Sequence, residues 1–143
     1  MNESKIFTLN LNQLEEFAQS LALGLKVSDV VCLTGNLGVG KTTFAGFLIN
    51  ALIKERYNIT SPTFNLLNQY KTDKFTIWHF DLYRIKSIDE LYELGIEDAL
   101  NYGVSIIEWP EIASSIIKEN HCIDINIDFA DHQDERVLKV KHD

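Results

Sequence analysis

The sequence is short of the residues that mark several classes of protein. It has two cysteines, two prolines and three arginines in 143 residues. Cys32 and Cys122 do not cluster, so the paired spacing of a zinc site is missing. Cys32, inside the run Val30-Val31-Cys32-Leu33, reads as a small buried hydrophobe. No apolar run approaches the ~20 residues a membrane helix requires. Met1 to Phe7 lacks the charged head and long apolar stretch of a signal peptide. A cytoplasmic location with no membrane contact is the resulting expectation. There is no Pro-, Gly- or Ser-rich linker, no low-complexity segment and no repeat, which predicts one domain over residues 1–143. Arginine is confined to Arg56, Arg84 and Arg136, and the net charge is −8. Such a chain repels phosphate backbones at long range, so tight nucleic-acid binding by the chain alone is not expected.

What is present is an ordinary folded composition, 45% hydrophobic and 24% charged. Residues 5–9 read as a short strand. Asn12 and Glu15 have the spacing of a capping box. Leu14, Phe17, Ala18, Leu21, Ala22 and Leu25 then recur at helical spacing. Val30 to Leu33 has the continuous apolar character of a strand buried on both faces. A second helix is predicted from about Lys41 to Lys54, with Phe44, Phe47, Leu48, Ala51 and Leu52 inward.

Ser61-Pro62-Thr63-Phe64 predicts a turn into an extended segment, because proline biases its predecessor away from helix. Phe75 to Leu82 reads as a strand. Ser87 and Glu90 form another capping pair, opening a short acidic helix that Gly95 ends. Val104 to Ile107 is a further apolar strand. Ile123, Ile125, Ile127 and Phe129 alternate with polar residues, and Arg136 to Lys141 returns after a polar turn. The fold class is α/β: one P-loop domain with a mixed, mainly parallel central sheet flanked by helices and an antiparallel hairpin at the C-terminus.

Between the first buried strand and the second helix stands Gly35-Asn36-Leu37-Gly38-Val39-Gly40-Lys41-Thr42, a full match to G-x-x-x-x-G-K-[ST]. The glycines let the backbone turn tightly and aim successive N–H groups inward. Those groups and the positive end of the following helix hold phosphates. Gly38, Val39, Gly40, Lys41, Thr42 and Thr43 are the candidate nucleotide-binding residues. Lys41 would reach the β and γ phosphates, and the Thr42 hydroxyl is a hard oxygen ligand for Mg2+. ATP and magnesium are the expected cofactors.

The loop alone does not name the chemistry. The Asn-Lys-x-Asp and Asp-x-x-Gly signatures of a GTPase are absent. The arginine-rich lid usual in a small-molecule kinase is poorly supplied by three arginines. An ATPase that couples energy to a partner is favoured. A stand-alone small-molecule kinase and a nucleotide-switched binding module that hardly hydrolyses stay open. Magnesium chemistry needs a carboxylate near the loop threonine, and two acids end apolar strands, Asp81 and Glu108. Lys41, Asp81 and Glu108 are the candidate catalytic residues, and Thr42, Asp81 and Glu108 the candidate metal ligands. His79 reads as a structural, hydrogen-bonded histidine, because phosphoryl transfer rarely needs one. Trp109 reads equally as a neighbour of the nucleotide or as core.

Together these motifs resemble the TsaE family (older name YjeE), small bacterial P-loop proteins of tRNA threonylcarbamoyladenosine formation. The resemblance rests on the loop through Phe44, Ser61-Pro62-Thr63-Phe64 and His79-Phe80-Asp81-Leu82-Tyr83-Arg84. Glu90-Leu91 with Leu94 to Asp98, and Ile107-Glu108-Trp109-Pro110-Glu111, complete it. It implies an ATPase working with the threonylcarbamoyl transferase subunit (TsaD) and its inactive paralogue (TsaB), with tRNA met only indirectly through that complex. It implies that Thr42 holds magnesium, with Glu108 and Asp81 in the metal and catalytic shell, and that Ser61 to Phe64 senses the nucleotide. The chain departs from the family in having Asn36 where Asp is usual, and in lacking a proline between Ile112 and Asn120. Arg136 aligns with a C-terminal arginine of the family.

Overall fold

A computed structural model describes residues 3–142. Strand β1 (Ser4–Asn10) leads directly into helix α1 (Leu11–Leu23). Strand β2 (Val30–Thr34) and helix α2 (Lys41–Ile53) enclose the glycine-rich loop. Strands β3 (Leu67–Lys71) and β4 (Thr76–Asp81) are followed by short helices α3 (Ile88–Glu93) and α4 (Ile96–Tyr102). Strand β5 (Val104–Glu108) runs into a 3₁₀ turn, Pro110–Ala113, and helix α5 (Ser114–Ile117). Strands β6 (Cys122–Phe129) and β7 (Glu135–His142) form the last hairpin.

The seven strands make one sheet in the order β1-β7-β6-β2-β5-β4-β3. Its centre, β6-β2-β5-β4, is parallel. The flanks are antiparallel: β3 on β4, β7 on β6 and β1 on β7. Alternation along the central strands sends side chains to two cores. Val31, Leu33, Ile106, Ile125 and Ile127 meet α1 and α2 through Leu14, Ala18, Phe44 and Leu48. Val30, Cys32, Phe80 and Ile107 meet α3, α4 and α5 through Leu91, Ile96, Leu100 and Ile117. Three layers result, as an α/β chain with two apolar sheet faces requires. Cys32 is buried as expected, and its thiol is pushed up in pKa by a hydrogen bond with Cys122, by burial and by the charge of Asp124.

Two capping expectations are corrected. The cap of α1 is Asn10, not Asn12: its side chain accepts from the Gln13 N–H at 2.9 Å while Gln13 accepts from the Asn10 N–H at 2.9 Å. The helix starts earlier because β1 stays paired as far as Asn10↔Glu135, which leaves no room for a linker. Ser87 does stand at the N-cap of α3, but its side chain makes no capping bond, and the Glu90 carboxylate accepts from the Lys86 N–H instead. The short acidic helix ends before Gly95 as expected, and Gly95, at φ 88, also opens a further helix, α4, that the sequence reading did not include.

The topology gathers many segments at one edge. The parallel strands β2, β4, β5 and β6 all end there. Because β3 runs against β4, residues 61–66 arrive at the same edge, with the Asp81 N–H donating to the Leu66 carbonyl at 3.0 Å. Because β7 runs against β6 and β1 against β7, the turn at 130–134 and the start of α1 join them.

Candidate phosphate and metal site

The loop from Gly35 to Gly40 needs its glycines. Gly35 has φ 141, and a Cβ there would strike the Ile127 carbonyl. Gly38 at φ 77 and Gly40 at φ 120 are left-handed, where side chains are strained. Gly40 is the N-cap of α2 and makes no side-chain cap, so the helix's positive end opens toward the loop. Lys41 is buried at 5% exposure, and its ammonium donates to the Gly35 carbonyl and, at 3.1 Å, to that of Asn36. Burial pushes the lysine pKa down, and the nearby Glu108, Asp81 and Glu111 oppose that shift. The ammonium also lies 3.9 Å from the centroid of the Trp109 ring. Trp109 is therefore part of the site and roofs Lys41. Its backbone sits at φ 58, its N–H donates to the Leu33 carbonyl at 3.3 Å, and Tyr83 packs on the ring at 4.8 Å.

Asp81 and Glu108 are register partners on β4 and β5. Both are buried, at 7% and 2% exposure. Glu108 Oε1 accepts from the Thr42 hydroxyl at 3.0 Å, and Oε2 is 2.7 Å from His79 Nε2. Asp81 Oδ2 accepts from the Ser61 hydroxyl at 2.7 Å, and Oδ1 from the Tyr83 N–H at 3.1 Å. The Thr63 hydroxyl donates to Ser61 at 3.2 Å. Residues 20 to 66 apart in sequence thus converge, and Lys41, Thr42, Asp81 and Glu108 come together as the sequence suggested.

The donor chemistry fits magnesium: two adjacent carboxylates and a hydroxyl are hard oxygen ligands of the kind Mg2+ takes. Among the described residues no three His, Cys, Asp or Glu side chains group to hold a metal by themselves. An ion here would take the rest of its shell from phosphate and water, as Mg2+ commonly does.

Beside the loop lies a cavity of about 530 Å³, lined by Leu9, Asn10, Asn12, Val39, Thr43 and Gln133 among others. Arg136 closes one side, its Nε donating to the Val39 carbonyl at 2.8 Å and its guanidinium 4.9 Å over the Phe129 ring. Sequence reasoning did not find this cavity. No local pattern marks it, since its walls come from β1, α1, the phosphate loop, α2 and β7, segments far apart in sequence.

A parallel α/β core with this loop opening a helix, and acids on the next strand ends, defines a P-loop nucleotide-binding protein. The profile of the family described as threonylcarbamoyl adenosine biosynthesis protein TsaE matches residues 8–138, and the chain belongs to that family. Proteins named tRNA threonylcarbamoyladenosine biosynthesis protein TsaE are similar over most of its length. That of Rickettsia felis is 47% identical, over 92% of this chain and 75% of its own. That of Rickettsia bellii is 44% identical, over 93% of each. The more distant Aquifex aeolicus protein is 41% identical over 67% of this chain and 68% of its own. The crystal structure of Bacillus subtilis YdiB has the same fold, with a TM-score of 0.77 at 23% identity, over 99% of this chain and 87% of that one. No helix among the described residues is long and apolar enough to cross a membrane.

Proposed function

We propose that the chain is an ATP-binding, ATP-hydrolysing subunit required for threonylcarbamoyl modification of the tRNA adenosine beside the anticodon. It acts with a threonylcarbamoyl transferase subunit (TsaD) and its paralogue (TsaB), and meets tRNA through them. The observation that carries this reading is the Thr42–Glu108 contact at 3.0 Å, made at the mouth of a complete P-loop in a member of the TsaE family.

In this reading Gly38 to Thr43 hold the phosphates through backbone N–H groups, and Lys41 exchanges loop carbonyls for phosphate oxygens. The cavity beside Val39 and Thr43 takes the nucleoside. Thr42, Glu108 and Asp81 would hold Mg2+, which supplies positive charge to the phosphate oxygens. Glu108, with its carboxylate fixed from both sides, orients an attacking water.

Partner stimulation is supported by where the arginines are. Arg136 is bonded to the carbonyls of Val39, Gln133 and Glu135. Arg84 lies over the Phe64 ring, and Arg56, 87% exposed, is 3.9 Å from Glu15. None of these contacts brings a guanidinium to the phosphate loop's lysine and threonine, and an arginine supplied in trans is worth about 10³-fold or more in P-loop hydrolysis. Slow turnover alone is the consequence.

The test is Mg2+-dependent ATP turnover, measured alone and with both partner proteins and tRNA. A low rate that rises in the complex is expected. A rate indifferent to the partners that needs a small-molecule acceptor would make the protein a kinase. Nucleotide-dependent partner binding without hydrolysis would make it a binding module.

A further inference from the structure

Among the described residues, His79 is the one buried ionisable side chain at this edge that the proposed chemistry leaves unused. It is fully buried, at 0% exposure, on the strand β4 that also carries Asp81. Its Nε2 is 2.7 Å from Glu108 Oε2, and Glu108 Oε1 is the atom on Thr42. An ionised carboxylate only accepts, so a bond to it requires the proton on Nε2. The other ring nitrogen, Nδ1, is buried without a hydrogen-bond partner. A histidine kept for structure alone satisfies both nitrogens, because an unpaired buried acceptor is costly. Here the ring is oriented for one bond only.

We propose that His79 is a positioning residue for Glu108. Its Nε2–H holds one carboxylate oxygen so that the other faces Thr42 and the metal position. A glutamate has three side-chain torsions to freeze, and no single bond to Thr42 fixes them all. With both oxygens tethered from opposite sides, the carboxylate keeps its orientation before nucleotide arrives. The proposal rests on the reading of this site as a magnesium–nucleotide site.

The experiment compares wild type with His79→Phe, which fills the space without a donor, and His79→Gln, whose amide nitrogen reaches the same place. ADP is titrated calorimetrically with and without Mg2+, and kcat and KM for ATP are measured in the presence of the partners. For His79→Phe, metal-free ADP affinity and KM should stay within about twofold, while kcat falls and the Mg2+ half-saturation rises by about tenfold. His79→Gln should recover most of both. A magnesium response and kcat unchanged in His79→Phe would overturn the proposal, as would His79→Gln behaving like His79→Phe.

If His79→Phe does not fold, imidazole ¹⁵N spectra of the wild-type, metal-free protein decide the matter: an Nε2–H tautomer with bare Nδ1 is expected, and an Nδ1–H tautomer overturns the proposal. A wild type whose ADP affinity ignores Mg2+ would instead sink the site reading, while the tautomer still tests the His79–Glu108 bond on its own.

Discussion

Glu108 and Asp81 end neighbouring strands and are paired in register, yet they are held by different kinds of structure. Glu108 is fixed by Thr42 on the first turn of α2 and by His79 inside the sheet. Both partners are parts of regular elements, α2 and β4. Asp81 is held by the Tyr83 N–H just past its own strand and by Ser61, which belongs to the loop between α2 and β3. That loop carries Phe64 at 89% exposure, and its Thr63 is exposed too. One carboxylate is therefore held by regular elements alone, and the other partly by an irregular loop in which Pro62 is buried and Leu66 packs on the core while residues 63–65 are exposed. In the proposed reading the difference gives them separate work: Glu108 would be preorganised, and Asp81 would connect the metal position to a loop that responds to the nucleotide.

The largest effect should come from breaking the fixed side. Glu108→Ala is expected to lower kcat by ~10²-fold or more, the worth of a positioned base or ligand, with a smaller change in ATP affinity. Unaltered turnover would remove Glu108 from the mechanism. Asp81→Asn keeps the shape and loses the charge, and kcat should fall by about tenfold with a weaker magnesium response; an effect as large as that of Glu108→Ala would erase the distinction between the two acids. Ser61→Ala removes only the tether, so kcat should fall by about threefold, the scale of one net hydrogen bond, while amide exchange across residues 61–66 quickens. If exchange there is unchanged, the loop is held by something other than Asp81. Smallest of all, Phe64→Ala should leave the urea unfolding free energy within ~0.5 kcal/mol, because an 89% exposed side chain contributes little to the folded state.

The two sides also differed in how readable they were. The loop and Glu108 stand in local patterns, an eight-residue motif and an apolar run ending in an acid, so the chain itself announces them. Beyond Thr42, the side-chain partners of the two acids do not. His79 lies 29 residues from Glu108, and Ser61 lies 20 from Asp81. Only the order of strands in the sheet brings each pair together. The cap of α1 failed for a related reason. Asn10 with Gln13 and Asn12 with Glu15 offer the same three-residue spacing, and the choice between them is made by the pairing of β1 with β7 at the far end of the chain. Trp109 was undecidable from sequence because an indole beside a strand end serves a core or a pocket equally well. Its left-handed backbone turns the ring over Lys41.

The bond from Arg136 to the Val39 carbonyl spans 97 residues, and β2 is flanked by β5 and β6, both made long after it. The nucleotide loop is thus synthesised before the segments that complete it. Loop closures of this length slow folding. A nascent chain that has emerged only as far as β4 holds the entire phosphate motif but lacks both neighbours of β2. In the proposed reading, stabilisation of the loop by ATP should therefore appear only after β5, β6 and β7 have been made.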